Sequence, residues 1–260
     1  MAHRRADREP SGALKPTFAG GCLAWLVSLV ALLAAPPHAL AGVEGFGGWE
    51  GDTHAQGYGY AAGTILLRTS DAFSVPVRAT GSYLYYSFRD LPGEVRVRAP
   101  GVGITAGPRA SGGWGTATLL LGGELRWERR SVVGNPFGAS VARAGFLAQA
   151  DAELVWGKRM RPSILVSYAG SAEYVYGRVA LRRQLSNLTW QGTTVWFAGV
   201  EAIAQGNSDT NALQGGGLVE VNLVRAKLSI SVRAGYKESD RSDPDPRQGG
   251  YAAGGLYHRF

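Results

Sequence analysis

Long stretches of alternating apolar and polar residues constrain this chain more than any other feature of its sequence. Between Thr116 and Glu128, apolar residues and glycine occupy every odd position, whereas threonine, glutamate and arginine fill most even positions. The same alternation extends over Val141–Trp156 and Lys227–Lys237. Successive side chains of a β-strand point to opposite faces, so this period of two predicts strands whose two faces meet different environments.

Weaker alternation in the rest of the chain raises the number of predicted strands to about twelve, and ten or fourteen are also compatible with the pattern. The nine further segments are Val43–Gly51, Gly57–Arg68, Val75–Phe88, Glu94–Gly107, Arg161–Gly170, Glu173–Leu185, Thr193–Gln205, Ala212–Val224 and Gly250–Phe260.

The chain has 38 glycines in 260 residues. This is about twice the usual share of roughly 7%, and it disfavours helices, where each glycine costs about 1 kcal/mol relative to alanine.

The length of the alternating segments separates a membrane barrel from a soluble barrel or sandwich. The clearest segments are much longer than strands of soluble domains, which cluster near five or six residues. A tilted membrane strand needs roughly nine to eleven residues. Trp127 and Trp156 lie at the ends of apolar faces, as in the aromatic girdles of membrane barrels. We therefore predict an all-β fold, a transmembrane antiparallel up-and-down β-barrel of about 12 strands in the bacterial outer membrane.

The first 41 residues have the features of a cleaved export signal. A basic leader precedes a mostly apolar run from Leu23 to Ala35, and Ala39 to Ala41 have the form of a cleavage site. The run is shorter than the roughly 20 residues of a membrane-spanning helix. We predict a signal peptide at 1–41 and an outer-membrane β-barrel at 42–260. The single cysteine, Cys22, would leave with the signal, which excludes a cysteine nucleophile or cysteine metal site in the mature chain.

The last predicted strand ends on an aromatic residue. Ala252, Gly254, Leu256 and Phe260 share one face with His258, and the intervening residues form the other face. This ending resembles the C-terminal signature of bacterial outer-membrane β-barrels. The resemblance implies that Phe260 is a C-terminal assembly signal for the barrel assembly machinery.

The polar faces of the strands are predicted to enclose the lumen, with eleven charged lumen-lining candidates. They are Glu124, Arg126, Glu128, Arg143, Asp151, Glu153, Arg178, Arg182, Glu201, Glu220 and Arg233. Charges of both signs on neighbouring strands are expected to pair. The set is compatible with a solvated, salt-bridged wall and with a lined conduit or binding cleft. Twelve strands lie between filled barrels of about 8 and porins of about 16–18, so a narrow pore is allowed but not required.

Several short, glycine-rich elements are similar in order and spacing to a known family. They are GYGYAAG at 57–63, APGVGITAG at 99–107, GGWG at 112–115, YGRVALRR at 176–183, GVEAIAQGN at 199–207, RAGYKESD at 233–240 and the ending at 251–260. With these elements the chain resembles the cellulose biosynthesis protein BcsS family of outer-membrane barrels. The resemblance implies an accessory role in cellulose or exopolysaccharide biosynthesis and export. The implied partners are outer-membrane lipid, the polysaccharide and its export machinery, and no catalytic residue is implied.

Five tyrosines near predicted strand ends allow two interpretations. They are Tyr83, Tyr85, Tyr86, Tyr174 and Tyr176. Their rings would suit sugar faces if they point into the lumen. The alternative, which we favour for most of them, places them in the aromatic belt at the membrane surface.

Two other functions remain as alternatives to the accessory role. One is a small passive pore or structural barrel unrelated to polysaccharide. The other is a lipid-modifying barrel enzyme that uses His54 and His258, which a closed barrel could bring near each other. No serine lies in a nucleophile-like turn and Gly-x-Ser-x-Gly is absent. We therefore predict no enzymatic activity, no cofactor and no metal site.

The basic residues are scattered along the strands without a contiguous stripe, which argues against nucleic acid as a partner.

Overall fold

The computed structural model of this protein describes residues 40–54, 56–90, 93–132, 139–185, 194–207, 210–241 and 247–260. These residues form a closed antiparallel β-barrel. The predicted signal peptide lies outside the described residues, apart from Leu40 and Ala41, which begin the first strand. Within the described ranges, no helix has the length and apolar character needed to cross a membrane.

The barrel wall contains thirteen strands in chain order. They are β1 Leu40–Asp52, β2 Gly57–Arg68, β3 Phe73–Asp90, β4 Gly93–Ala106, β5 Arg109–Gly112, β6 Gly115–Val132, β7 Ala139–Leu154, β8 Met160–Ala169, β9 Tyr174–Gln184, β10 Thr194–Gly206, β11 Thr210–Leu223, β12 Leu228–Arg241 and β13 Arg247–Arg259. Each long strand pairs with the next long strand along the chain, and β1 pairs with β13 to close the sheet. We call the end where β1 begins and β13 finishes the terminal end, and the other end the distal end.

The short strand β5 continues β4 after a break at Gly107 and Pro108. Both strands pair with β3 on one side and β6 on the other, so together they make one crossing of the barrel. A Cβ atom at Gly107 would collide with the Leu119 carbonyl oxygen. Pro108 has no N–H to donate to the ladder, but its carbonyl oxygen accepts from Leu119 N at 3.0 Å. The predicted barrel of about 12 strands is therefore confirmed, with one crossing split in two.

The apolar faces of the strands point outward. On β6, Leu119, Leu121 and Leu125 are 43%, 47% and 48% exposed, whereas Leu120 between them is fully buried. From Ala117 to Trp127 the outward face extends for about ten residues, which spans roughly 26 Å across a bilayer at about 3.4 Å per residue and a tilt of about 40°. This height matches the apolar band of about 25 Å found on outer-membrane barrels.

Aromatic side chains on the outward face border this apolar band at both ends. Towards the distal end, Trp49 and Tyr83 lie on β1 and β3 in one register row, with Gly59 of β2 between them. On β6, Arg126 pairs with Gly101 of β4, and Trp127 is the next residue towards the distal end. Trp127 therefore lies close to the row of Trp49 and Tyr83. At the terminal end, Phe73, Trp114, Trp156 and Phe260 are exposed. The positions of Trp127 and Trp156 therefore agree with the predicted girdles.

The seam between β1 and β13 is hydrogen-bonded to the last residue. Phe260 N donates to the Val43 carbonyl oxygen at 2.9 Å, and Arg259 N donates to Lys227 O at 3.0 Å. The exposed Phe260 ring lies edge-on to His258, with 4.4 Å between ring centroids. The terminal strand is thus fixed to both of its neighbours. The role of Phe260 as an assembly signal stays a prediction.

Candidate functional site in the barrel lumen

A buried carboxylate, Glu201 on β10, is the centre of a polar cluster on the lumen wall. Its side chain is fully buried and accepts hydrogen bonds from Arg178 of β9 at 2.7 Å and Arg233 of β12 at 3.5 Å. The Tyr251 hydroxyl on β13 donates to the second Glu201 oxygen at 3.0 Å. One carboxylate therefore links four strands of the wall.

Two glycines make this contact geometrically possible. Tyr251 reaches Glu201 by lying across Gly235 on β12 and Gly216 on β11. A Cβ atom at Gly216 would collide with the Tyr251 hydroxyl and the Ala234 carbonyl, and one at Gly235 would lie 2.8 Å from the Tyr251 ring. Glycine at these lumen-facing positions thus leaves the space that the tyrosine ring occupies.

A second cluster surrounds Glu124 on β6. Arg126 donates to Glu124 at 3.3 Å, to Ser82 of β3 at 3.5 Å and to the Ala99 carbonyl oxygen at 3.4 Å. Ser171, in the β8–β9 turn, donates to the other Glu124 oxygen. The cluster joins β3, β4 and β6 to a hairpin at the distal end.

Longer-range bonds cross the lumen between strands that are not neighbours. Arg109 of β5 donates to Glu44 of β1 at 2.9 Å. Gln214 of β11 donates to Glu50 of β1 at 2.8 Å. Near the distal end, Lys237 of β12 pairs with Asp52 at 2.8 Å. These bonds connect polar side chains of β1 to β5 on one side and to β11 and β12 on the other.

The eleven lumen-lining candidates fall into three groups in the structure. Eight belong to the clusters described above or to a triad in which Arg182 contacts carboxylates on β7 and β11: Glu124, Arg126, Glu153, Arg178, Arg182, Glu201, Glu220 and Arg233. Glu128 accepts from Arg130, and Asp151 accepts from Gln149 at 3.1 Å. Arg143 pairs in register with Arg126 and is exposed.

Sequence reasoning missed several polar residues of the same wall. Glu44, Glu50 and Asp52 of β1 all contact partners on other strands. These three residues are separated by even numbers of positions, which places them on one face of the strand, and this spacing was the available signal. It was weak because glycines fill much of the outward face of this strand, so little apolar contrast marks the alternation.

The five tyrosines are divided between the two faces of the wall. Tyr83 is 46% exposed on the outward face, and Tyr85 lies two residues further on the same face. Tyr174 and Tyr176 instead lie on the lumen face of β9, where Tyr176 is near Arg233 of β12. The belt interpretation does not apply to these two residues. Tyr86 alternates with Tyr85 and so shares the lumen face with Ser82.

Tyrosines from opposite walls approach each other at the distal half of the lumen. Tyr174 lies near Glu50 of β1 and Tyr58 of β2. In a ring of twelve crossings, β2 and β9 are six positions apart, so these tyrosines face each other across the barrel. Tyr58 stacks at a tilt on Tyr60, with ring centroids 5.8 Å apart. Sequence reasoning missed Tyr58 and Tyr60 as lumen residues.

The two histidines of the barrel lie at opposite ends. His54 is in the β1–β2 turn at the distal end, where its backbone N–H donates to Asp52 at 2.9 Å. His258 pairs in register with Gly45 near the terminal end. The seven residue steps from Gly45 to Asp52 span about 23 Å of strand. The hypothesis that closure brings the histidines together is therefore wrong. Over the described ranges, no group of three or more His, Cys, Asp or Glu residues is arranged to hold a metal ion.

The closed sheet, its outward apolar band and its polar interior define an outer-membrane β-barrel. The β domain of the Bordetella autotransporter BrkA is similar, with a TM-score of 0.50 and 13% identity, covering 84% of this chain and 98% of that one. The translocator domain of NalP from Neisseria meningitidis has a TM-score of 0.46 and 15% identity, covering 93% and 97% of the two chains. These likenesses concern the fold alone, and no curated protein matches the chain.

The family model for cellulose biosynthesis protein BcsS matches residues 41–260. The chain belongs to this family, as the order of its glycine-rich elements predicted. It is a barrel of the bacterial outer membrane associated with cellulose biosynthesis.

Proposed function

We propose that this barrel is a non-enzymatic accessory of cellulose or exopolysaccharide export that contacts the polymer through its lumen. Membership of the BcsS family supports the link with cellulose. The observation that carries the proposal is the convergence of Tyr58, Tyr174 and Tyr176 with Glu50 and Arg233 in the distal half of the lumen.

This combination of groups suits an uncharged glucan. Each sugar ring has an apolar face of C–H groups and a rim of hydroxyls. Tyrosine rings provide flat apolar area with a polar tip. Charged side chains form stronger hydrogen bonds to hydroxyls than neutral groups do. A chain of sugars passing Tyr58 and Tyr174 would meet rings from two opposite walls and polar groups between them.

The absence of enzymatic activity is part of the proposal and rests on the arrangement of the polar groups. His54 and His258 are separated by most of the barrel height, so they do not form one site. Glu124, Glu201 and Glu220 accept bonds from arginines, which ties these carboxylates into the wall.

The role in export is tested by deleting the gene from a cellulose-producing strain. We expect less secreted or surface-attached glucan. Restoration by the wild-type gene but not by a Tyr174→Ala/Tyr176→Ala variant would support a role of the lumen. Unchanged glucan in the deletion strain would contradict the accessory role.

Binding is tested with the purified barrel in planar bilayers. Cello-oligosaccharides should bind the wild type, detected by current block or tryptophan fluorescence, and the double tyrosine variant should bind about 5- to 10-fold more weakly. Tyr83→Ala, on the outward face, is the matched control and should bind normally. Conductance that no oligosaccharide affects, without fluorescence change, would indicate a passive pore. Altered lipid profiles that depend on His54 or His258 would indicate an enzyme.

A further inference from the structure

Three arginines are exposed on the outward face of the barrel at the distal end of β4 and β6. Arg98 and Arg129 are directly opposite each other in the β4–β6 register, and Arg96 follows two residues beyond Arg98. We call Arg96, Arg98 and Arg129 the outer arginine patch. Tyr85 of β3 pairs with Arg98 and borders the patch on the other side.

The alternation of each strand shows that these side chains point away from the lumen. On β4, Val97 and Ala99 on the two sides of Arg98 are 0% and 2% exposed, and Ile104 on the same face as Arg98 is 57% exposed. On β6, Arg129 continues the face of the exposed Leu121 and Leu125. The patch therefore faces the surroundings of the barrel.

The patch lies just outside the apolar band. Trp127 precedes Arg129 by two residues on the same face, and Tyr83 precedes Tyr85 in the same way on β3. Aromatic side chains of this kind mark the boundary between hydrocarbon and headgroups. Two further residues along a tilted strand place the guanidinium groups at the depth of lipid headgroups.

The side chains of Arg98 and Arg129 lie without an acidic partner among the residues that the structure describes. Over the described ranges, neither side chain makes an ion pair or hydrogen bond, whereas Arg96 pairs with Glu94 at 3.3 Å. Like charges directly opposite on neighbouring strands are destabilising. In the lumen, by contrast, most arginines contact carboxylates. The guanidinium groups of the outward pair are therefore free to bind an anion.

We propose that the outer arginine patch binds a phosphate group of lipopolysaccharide in the outer leaflet. The twelve crossings, an even number, place the start of β1 and the end of β13 on the same side of the membrane. Insertion from the periplasm makes that side periplasmic, so the distal end is extracellular. Two guanidinium groups on facing residues of adjacent strands, with Cβ atoms about 5 Å apart, can each donate paired hydrogen bonds to one phosphate. The acyl chains of the same lipid would lie along the apolar face below.

The test compares the purified barrel with two double variants in vesicles that contain lipopolysaccharide. Arg98→Gln/Arg129→Gln removes the pair. Lys158→Gln/Arg159→Gln removes the same charge from the exposed β7–β8 turn at the terminal end. We expect at least about 10-fold weaker binding for the first variant and none of this loss for the second. Enzymatic removal of the phosphates should reduce wild-type binding to the level of the first variant.

Further measurements identify the anion and check that each variant is folded. Arg98→Lys/Arg129→Lys keeps the charge without the paired donors and should bind with intermediate strength. Each variant is first checked for heat-modifiable migration. Equal binding of the wild type and the Arg98→Gln/Arg129→Gln variant would overturn the proposal. Equal binding of dephosphorylated lipid, full competition by millimolar inorganic phosphate, or equal affinity for phosphatidylglycerol would overturn it too. None of these results depends on glucan binding in the lumen.

Discussion

At the scale of single residues, glycines determine which side chains can cross the lumen wall. Tyr251 reaches Glu201 only because Gly216 and Gly235 have no side chain under its ring. Gly215, the neighbour of Gly216 on the outward face, has no atom within 4 Å of the position a Cβ would take. Two adjacent glycines on β11 thus have different requirements.

We expect Gly216→Ala to lower the free energy of unfolding by about 1–3 kcal/mol, because the added methyl group overlaps the Tyr251 hydroxyl and the Ala234 carbonyl. Gly215→Ala is the matched control and should change it by less than about 0.5 kcal/mol. Urea unfolding of the barrel in lipid vesicles, followed by tryptophan fluorescence, measures both. Equal effects of the two substitutions would show that Tyr251 does not lie across β11.

At the scale of strands, the wall from β9 to β13 depends on one buried carboxylate. Glu201 contacts Arg178, Arg233 and Tyr251 on three other strands. Its side chain is 0% exposed, and those of Arg178 and Arg233 are 28% and 11% exposed. Loss of this carboxylate would leave two partly buried cations without their common partner.

Glu201→Gln should lower the free energy of unfolding by about 3–5 kcal/mol, the usual cost of breaking a buried ion pair from one side. Glu94→Gln removes the same charge from the Arg96 pair, whose side chains are 46% and 42% exposed. Exposed pairs contribute at most about 1 kcal/mol. The two variants are compared in the same unfolding experiment. A Glu201→Gln barrel as stable as Glu94→Gln would argue against a structural role for the cluster.

At the scale of the whole molecule, the direction of each strand face determines what surrounds the barrel. Leu119 on β6 and Phe146 on β7 are 43% and 52% exposed, so both should touch lipid. Ser82 on β3 instead contacts Arg126 inside the lumen. The only cysteine, Cys22, lies in the predicted signal peptide. A cysteine introduced into residues 42–260 is therefore the single thiol of that segment.

We expect a fluorophore on Leu119→Cys or Phe146→Cys to be quenched strongly by lipids with brominated acyl chains. A fluorophore on Ser82→Cys should be quenched several-fold less, because the barrel wall separates it from the hydrocarbon. Fluorescence in vesicles made with and without brominated lipid gives the comparison. Quenching at Ser82 but not at Leu119 would reverse the assignment of inside and outside.

The strands were predictable because each of them faces lipid on one side and the polar lumen on the other. This contrast produces an alternation of apolar and polar residues in the sequence. Gly57–Arg68, for example, was predicted with the bounds that the structure shows. The continuous prediction from Glu94 to Gly107 did not include β5, since Pro108 interrupts the pattern although the strand continues. Boundaries at other strands shifted by a few residues, and β6 and β12 extend beyond their predicted segments through polar residues.

The class of fold, the outward direction of the apolar faces and the family were predictable from the amino-acid sequence, because these properties depend on local alternation and on short motifs in order. Which residues contact one another became known only from the folded barrel. Closure placed Tyr174 opposite Tyr58 and separated His54 from His258. It also set Arg98 against Arg129. These contacts depend on the register between strands and on the curvature of the closed sheet. Alternation in the sequence does not reveal the register, because every shift by an even number of residues leaves the apolar side chains on the same face.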